Sequence, residues 1–129
     1  MSLESTSKNS EFKQQFKKRC FYFSLDILRL CEQLKSNRTN WSLIDQLTRS
    51  ATSIGANIVE GGNSTSKKKF INYFQIALKS ASETLYWLAL LKEINKEHEV
   101  VLQKLVSECT ELKKLISTII LNTKANSRF

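Results

Sequence analysis

The chain has 129 residues, 20 Lys and Arg against 12 Asp and Glu for a net charge of +8, no proline and only three glycines. That length is enough for one domain with a real core, and so few chain breakers favour long helices joined by short connections. No stretch approaches the roughly 18 uncharged apolar residues that cross a bilayer, and the opening MSLESTSKNSE has no apolar export core, so the expectation is a cytoplasmic protein with no membrane partner.

The first predicted helix runs from about Ser10 to Ser36. Phe12, Phe16, Phe23, Ile27, Leu30 and Leu34 recur at spacings of three, four and seven, which is one face of a 3.6-residue helix. Phe21, Tyr22, Leu25 and Leu28 add a second apolar stripe. An outer helix of a monomeric bundle needs one stripe, so the second points to contact with another subunit. The SNRTN stretch closes this helix and offers Thr39 or Asn40 as the next N-cap.

The second helix runs from Trp41 to about Glu60, with Trp41, Ile44, Leu47, Ala51, Ile54 and Ile58 facing inward. Ser50, Ala51, Ser53, Gly55 and Ala56 are small enough for close backbone approach, and close packing is what would offset the roughly 1 kcal/mol that Gly55 costs inside a helix. Gly61 and Gly62 read as a left-handed helix end. The third helix runs from near Ser66 to about Asn95, with Phe70, Phe74, Ala77, Ala81, Leu85, Leu88 and Leu91 inward. The fourth runs from about Glu97 to Asn122, with Leu102, Leu105, Cys109, Leu112, Ile116 and Ile119 forming a near-heptad seam. The expected fold is all-α, an antiparallel up-down-up-down four-helix bundle over residues 10–122, with flexible tails at 1–9 and 123–129. Cys20, Cys31 and Cys109 all fall in apolar helical runs, as buried reduced thiols do.

Nothing in the pattern supports catalysis. The one histidine, His98, sits among charged residues at a helix junction, no Cys or His pair has metal-ligand spacing, and no phosphate-binding P-loop motif occurs. The expectation is a non-enzymatic protein with no metal and no cofactor.

Charge is uneven: residues 1–40 carry +4, 41–66 carry −1, 67–96 carry +4 and 97–129 carry +1. Basic excess on the first and third helices fits an anionic partner. In the turn before the third helix, Ser66 is a sound N-cap, yet Lys67, Lys68 and Lys69 fill the first turn against the helix dipole. Free amides, hydroxyls and ammonium groups there suit phosphate, and Lys13, Lys17, Lys18 and Arg19 extend the positive surface. The plainer reading is a solvated charge run. A second constellation, Arg49, Ser53, Asn57 and Glu60 on the second helix with Tyr73, Ser80, Glu83 and Thr84 on the third, reads as a structural polar network, with a buried Arg49–Glu83 pair fixing register.

RSATSIGANIVEG, a short turn, SKKKF and then Ala77, Ser80 and Glu83 at helical spacing resemble the four helix bundle proteins, also called 23S ribosomal RNA intervening-sequence proteins. The resemblance covers about residues 12–120 and rests on Arg49, Ser50, Ser53, Ile54, Asn57, Glu60 and Gly61, then Phe70, Ala77, Ser80 and Glu83. It implies a small bacterial four-helix bundle assembling as a homopentamer. A related branch, the accessory variability determinant of diversity-generating retroelements, partners a reverse transcriptase and binds nucleic acid. In the family the turn often reads Ser-x-x-Glu, a capping box; here Lys69 stands at the Glu position, exchanging a reciprocal cap for positive charge. The expected function is RNA binding through phosphates by a homo-oligomer, with DNA as another possible ligand. The alternative is a scaffold that docks a partner protein.

Overall fold

The computed structural model describes the backbone of residues 3–126 and the side chains of residues 10–126. Four long helices account for nearly all of it: α1 Leu3–Leu34, α2 Trp41–Gly62, α3 Lys67–Ile94 and α4 Glu99–Ala125. Short 3-10 turns, Arg38–Asn40 and Lys96–His98, lead into α2 and α4. Each helix packs on its neighbours in sequence, and α1 also packs on α4, so α1 and α3 stand diagonally across the bundle.

Pairs of touching residues set the directions. Cys31 meets Thr48 and Cys20 lies against Gly55, so α1 and α2 run oppositely. Asn40 bonds Asn95, Ser50 bonds Thr84 and Ser53 bonds Ser80, which makes α2 and α3 antiparallel. Lys92 meets Gln103, Cys109 meets Ala81 and Lys67 meets Asn126, so α3 and α4 are antiparallel too. The up-down-up-down all-α bundle follows.

The core is the expected one, with local exceptions. Phe23, Ile27, Leu30, Leu47, Ile54, Leu88, Leu91, Leu102, Leu112 and Ile116 are at most 2% exposed. Phe12 and Trp41, expected inside, are 47% and 54% exposed. Phe12 lies in the first half of an α1 that begins at Leu3, not near Ser10. The indole N–H of Trp41 donates to the Lys35 carbonyl at 2.7 Å, capping the end of α1 from outside, with Arg38 stacked over the ring. In α4 the fully packed residue is Ile120, with Ile119 only partly buried. A 3.6-residue helix drifts about 20° per heptad, so a straight seam moves on by one residue over its length.

The helix ends also differ from expectation. α4 continues to Ala125, and residues 3–9 continue α1; the rest of both expected tails, 1–2 and 127–129, lies outside the described residues. Asn40 sits at the N-cap of α2 but makes no side-chain cap bond; its amide turns inward. Gly61 and Gly62 are helical, and among the described residues no glycine has positive φ. Gly61 is required for another reason: a Cβ there would stand 2.8 Å from the Phe74 ring.

The three cysteines are free and buried. Burial pushes the thiols of Cys20 and Cys109 up to about 12, and burial also raises Cys31 against its weak bond to Thr48. A thiol held neutral in the fold contributes stability below its ordinary value of 9.0 that is lost as pH rises toward about 12. At neutral pH a disulfide reagent should therefore leave the native protein untouched and titrate three thiols once denaturant is added. Rapid labelling of even one thiol in the native protein would contradict this packing.

Candidate nucleic-acid interface

One end of the bundle gathers the first half of α1, the α2–α3 turn and the end of α4. Ser66 has the extended backbone of an N-cap, and its hydroxyl accepts the Lys69 amide at 3.3 Å. The three lysines that follow are not equivalent. Lys67 reaches across to α4, where its ammonium donates to the carbonyls of Asn126 and, at 3.5 Å, Lys124. It thus occupies the negative end of the α4 dipole, which offsets its unfavourable place at the positive end of α3. Lys68 and Lys69 are exposed, as are Lys13, Lys17 and Lys18 on α1. Arg19 is not part of a free positive surface. Its guanidinium grips Glu108 of α4 through two bonds of 2.9 and 2.8 Å, and that bonding raises it above its ordinary value.

The eight residues expected to bind anions therefore separate. Lys13, Lys17, Lys68 and Lys69 project from the same end, Lys18 lies beside them on α1, and Ser66, Lys67 and Arg19 already serve the fold. The Lys17 side chain runs alongside Gly62, its Nζ 3.5 Å from where a Cβ would stand. Between these elements opens a cleft of about 480 Å³. Phe16, Ile58 and Phe74 form its floor, Phe12, Phe70 and Ile119 its walls, and Lys13, Lys17, Ser64, Thr123 and Asn126 contribute polar groups. The lysine pattern in the sequence pointed to this end of the molecule; the cleft itself was not foreseen.

The second constellation is reorganised. Ser53 and Ser80 share a hydroxyl bond of 2.9 Å, Asn57 donates to Ser53, and Thr84 donates to Ser50, which lies outside the expected set, at 2.9 Å. Arg49 and Glu83 do not form the expected buried pair. The Arg49 side chain is 76% exposed and faces Asp45 one turn back at 3.7 Å, while exposed Glu83 accepts the indole N–H of Trp87. At these places on adjacent helices small residues set the spacing, so short hydroxyls meet across the seam and long charged chains splay outward. Glu60 is exposed and Tyr73 half-buried.

The sequence profile of the 23S rRNA-intervening sequence protein family matches residues 13–118. The chain belongs to that family. Among solved structures it is similar to a protein of unknown function from the S23 ribosomal protein family of Bacteroides thetaiotaomicron VPI-5482. The two are 36% identical, the match covers 81% of this chain and 97% of that one, and the TM-score is 0.76. No curated protein matches the chain. Membership in the intervening-sequence family fixes a small helical bundle and leaves the chemistry to the surface. Among the described residues no group of three or more His, Cys, Asp or Glu is placed to hold a metal, and no helix is long and apolar enough to cross a membrane.

Proposed function

We propose that this member of the 23S rRNA-intervening sequence family is a non-catalytic, homo-oligomeric protein that binds RNA through its phosphates. The observation that carries the reading is that Lys13 and Lys17 of α1, which line the cleft, and Lys68 and Lys69 in the first turn of α3 are all exposed at the same end of the bundle. None of the four is engaged in an ion pair with a described residue, and lysines left in water at one edge are what phosphate contacts require. Replacing Lys68 by Gln and Lys69 by Glu recreates the Ser-x-x-Glu capping box, so thermal stability should hold or rise slightly. RNA affinity should fall, and its dependence on log salt should flatten by roughly 0.7 for each single-strand phosphate no longer neutralised. Unchanged affinity and slope in such a variant would refute the reading, leaving the scaffold that docks a partner protein as the better account.

Self-association rests on a separate feature. Phe21 and Leu28 on α1 are 63% and 42% exposed, and Tyr86, Leu90 and Ile94 on α3 expose a second apolar row. Because α1 and α3 are diagonal, the two rows face away from each other. Two unlike faces on one subunit suit a head-to-tail ring, the arrangement a pentamer needs. Light scattering should give about five times the single-chain 14.9 kDa; a monomeric mass at micromolar protein would exclude the ring.

A further inference from the structure

We infer that the cleft at the lysine-rich end takes one unpaired nucleotide, its base inserted among the phenylalanine rings and its phosphate held at the rim by Lys13 and Lys17. This rests on the RNA-binding reading above and specifies the form of RNA recognised. The cleft volume, about 480 Å³, lies within the roughly 300–1,000 Å³ of small-molecule sites. Two stacked pairs of rings border it: Phe12 with Phe16, 7° from parallel, and Phe70 with Phe74, centroids 4.1 Å apart. Flat aromatic walls favour a flat occupant, and bases splayed from a single strand stack on such rings. Ser64, Thr123 and Asn126 add hydrogen-bonding atoms inside the cleft that a base edge satisfies and an alkyl chain would strand. The Ser64 and Thr123 hydroxyls spend their protons on the carbonyls of Gly61 and Ile119, which leaves their oxygens as acceptors for the amino and imino groups of a base. Lys17, lying along Gly62 at the rim, supplies a cation where the attached phosphate would emerge. A paired base cannot enter, so the site discriminates single strand from duplex, which a purely electrostatic surface does not.

The test compares a short single-stranded RNA carrying one 2-aminopurine with its blunt duplex at matched salt. The full-length protein should bind the single strand roughly tenfold more tightly, the order expected for one stacked base, and the 2-aminopurine emission should change on binding. Thr123→Trp, which fills the cleft while keeping every lysine, and Phe12→Ala, which removes an exposed ring, should each erase that advantage and leave duplex affinity unchanged, with melting curves showing that both variants fold. Should one of them fail to fold, the other and Phe70→Ala, which removes a wall ring and keeps every lysine, carry the same comparison. Equal affinity for the two RNA forms, with Thr123→Trp silent, would overturn the inference while leaving phosphate binding intact. Binding of neither form even at low salt would overturn both.

Discussion

Replacing Asn95 by Ala should destabilise the chain by about 3 kcal/mol, a drop of roughly 10 °C in melting temperature for a domain of this size. Asn95 and Asn40 are each 1% exposed. Their amides exchange two bonds, Asn40 donating to Asn95 at 2.9 Å and Asn95 returning one at 3.0 Å. Each also donates at 2.9 Å to the last turn of a helix, Asn40 to the Leu34 carbonyl and Asn95 to that of Leu91. The pair thereby locks the α1–α2 connection to the α3–α4 connection across the end of the bundle remote from the cleft. Removing Asn95 strands the Asn40 carbonyl oxygen and one of its two amide hydrogens in a dry site, while the Leu91 carbonyl keeps the backbone N–H of residue 95; each stranded group costs about 1–3 kcal/mol. Because the bonds are mutual, the double variant Asn40→Ala/Asn95→Ala should cost clearly less than the two single losses combined. Chemical denaturation of the three variants measures the coupling, and additive losses would mean that the amides do not act as a unit.

Periodicity carried the fold. Four apolar stripes, two short loops and a Gly/Ser/Thr turn define four helices whose inner faces match the buried residues at nearly every position. The misses share a cause: they are groups whose role depends on which neighbour the fold brings close. Asn40 looks like an N-cap because its residue type and place suit one, but Asn95 lies 55 positions away and no local pattern announces it. Arg49 and Glu83 look like a pair because they lie on facing helices, yet hydroxyl contacts bring α2 and α3 too close to admit them between. Of the site, the lysine turn was legible as a break in the usual charge preference of a helix start. That Lys67 answers the end of α4, while Lys68 and Lys69 remain in water, depends on the antiparallel packing of α3 and α4. The cleft is still less legible, since it draws on four elements spread from Phe12 to Asn126.

Two glycines of α2 should respond to the same substitution with opposite signs. At Gly61 an added Cβ would lie 2.8 and 2.9 Å from two ring carbons of Phe74 and 3.1 Å from the Tyr73 Cβ. Phe74 is 4% exposed and its ring is stacked on Phe70, so neither ring nor backbone has room to yield. Gly61→Ala should cost about 1–3 kcal/mol, the usual penalty for overpacking, partly recovered when Phe74→Leu is added. At Gly55 the added Cβ would meet Cys20 and Ser24 of α1 at 3.5–3.7 Å, which is ordinary contact. The small residue expected there for close packing is not demanded by it, and Gly55→Ala should gain up to about 1 kcal/mol by restricting the unfolded chain and favouring the helix. Denaturant midpoints of the two alanine variants should fall on either side of the parent. Loss of stability at Gly55 in the assembled protein, with none in a dilute monomer, would place that stretch of α2 against a neighbouring subunit and explain the glycine by a contact between chains.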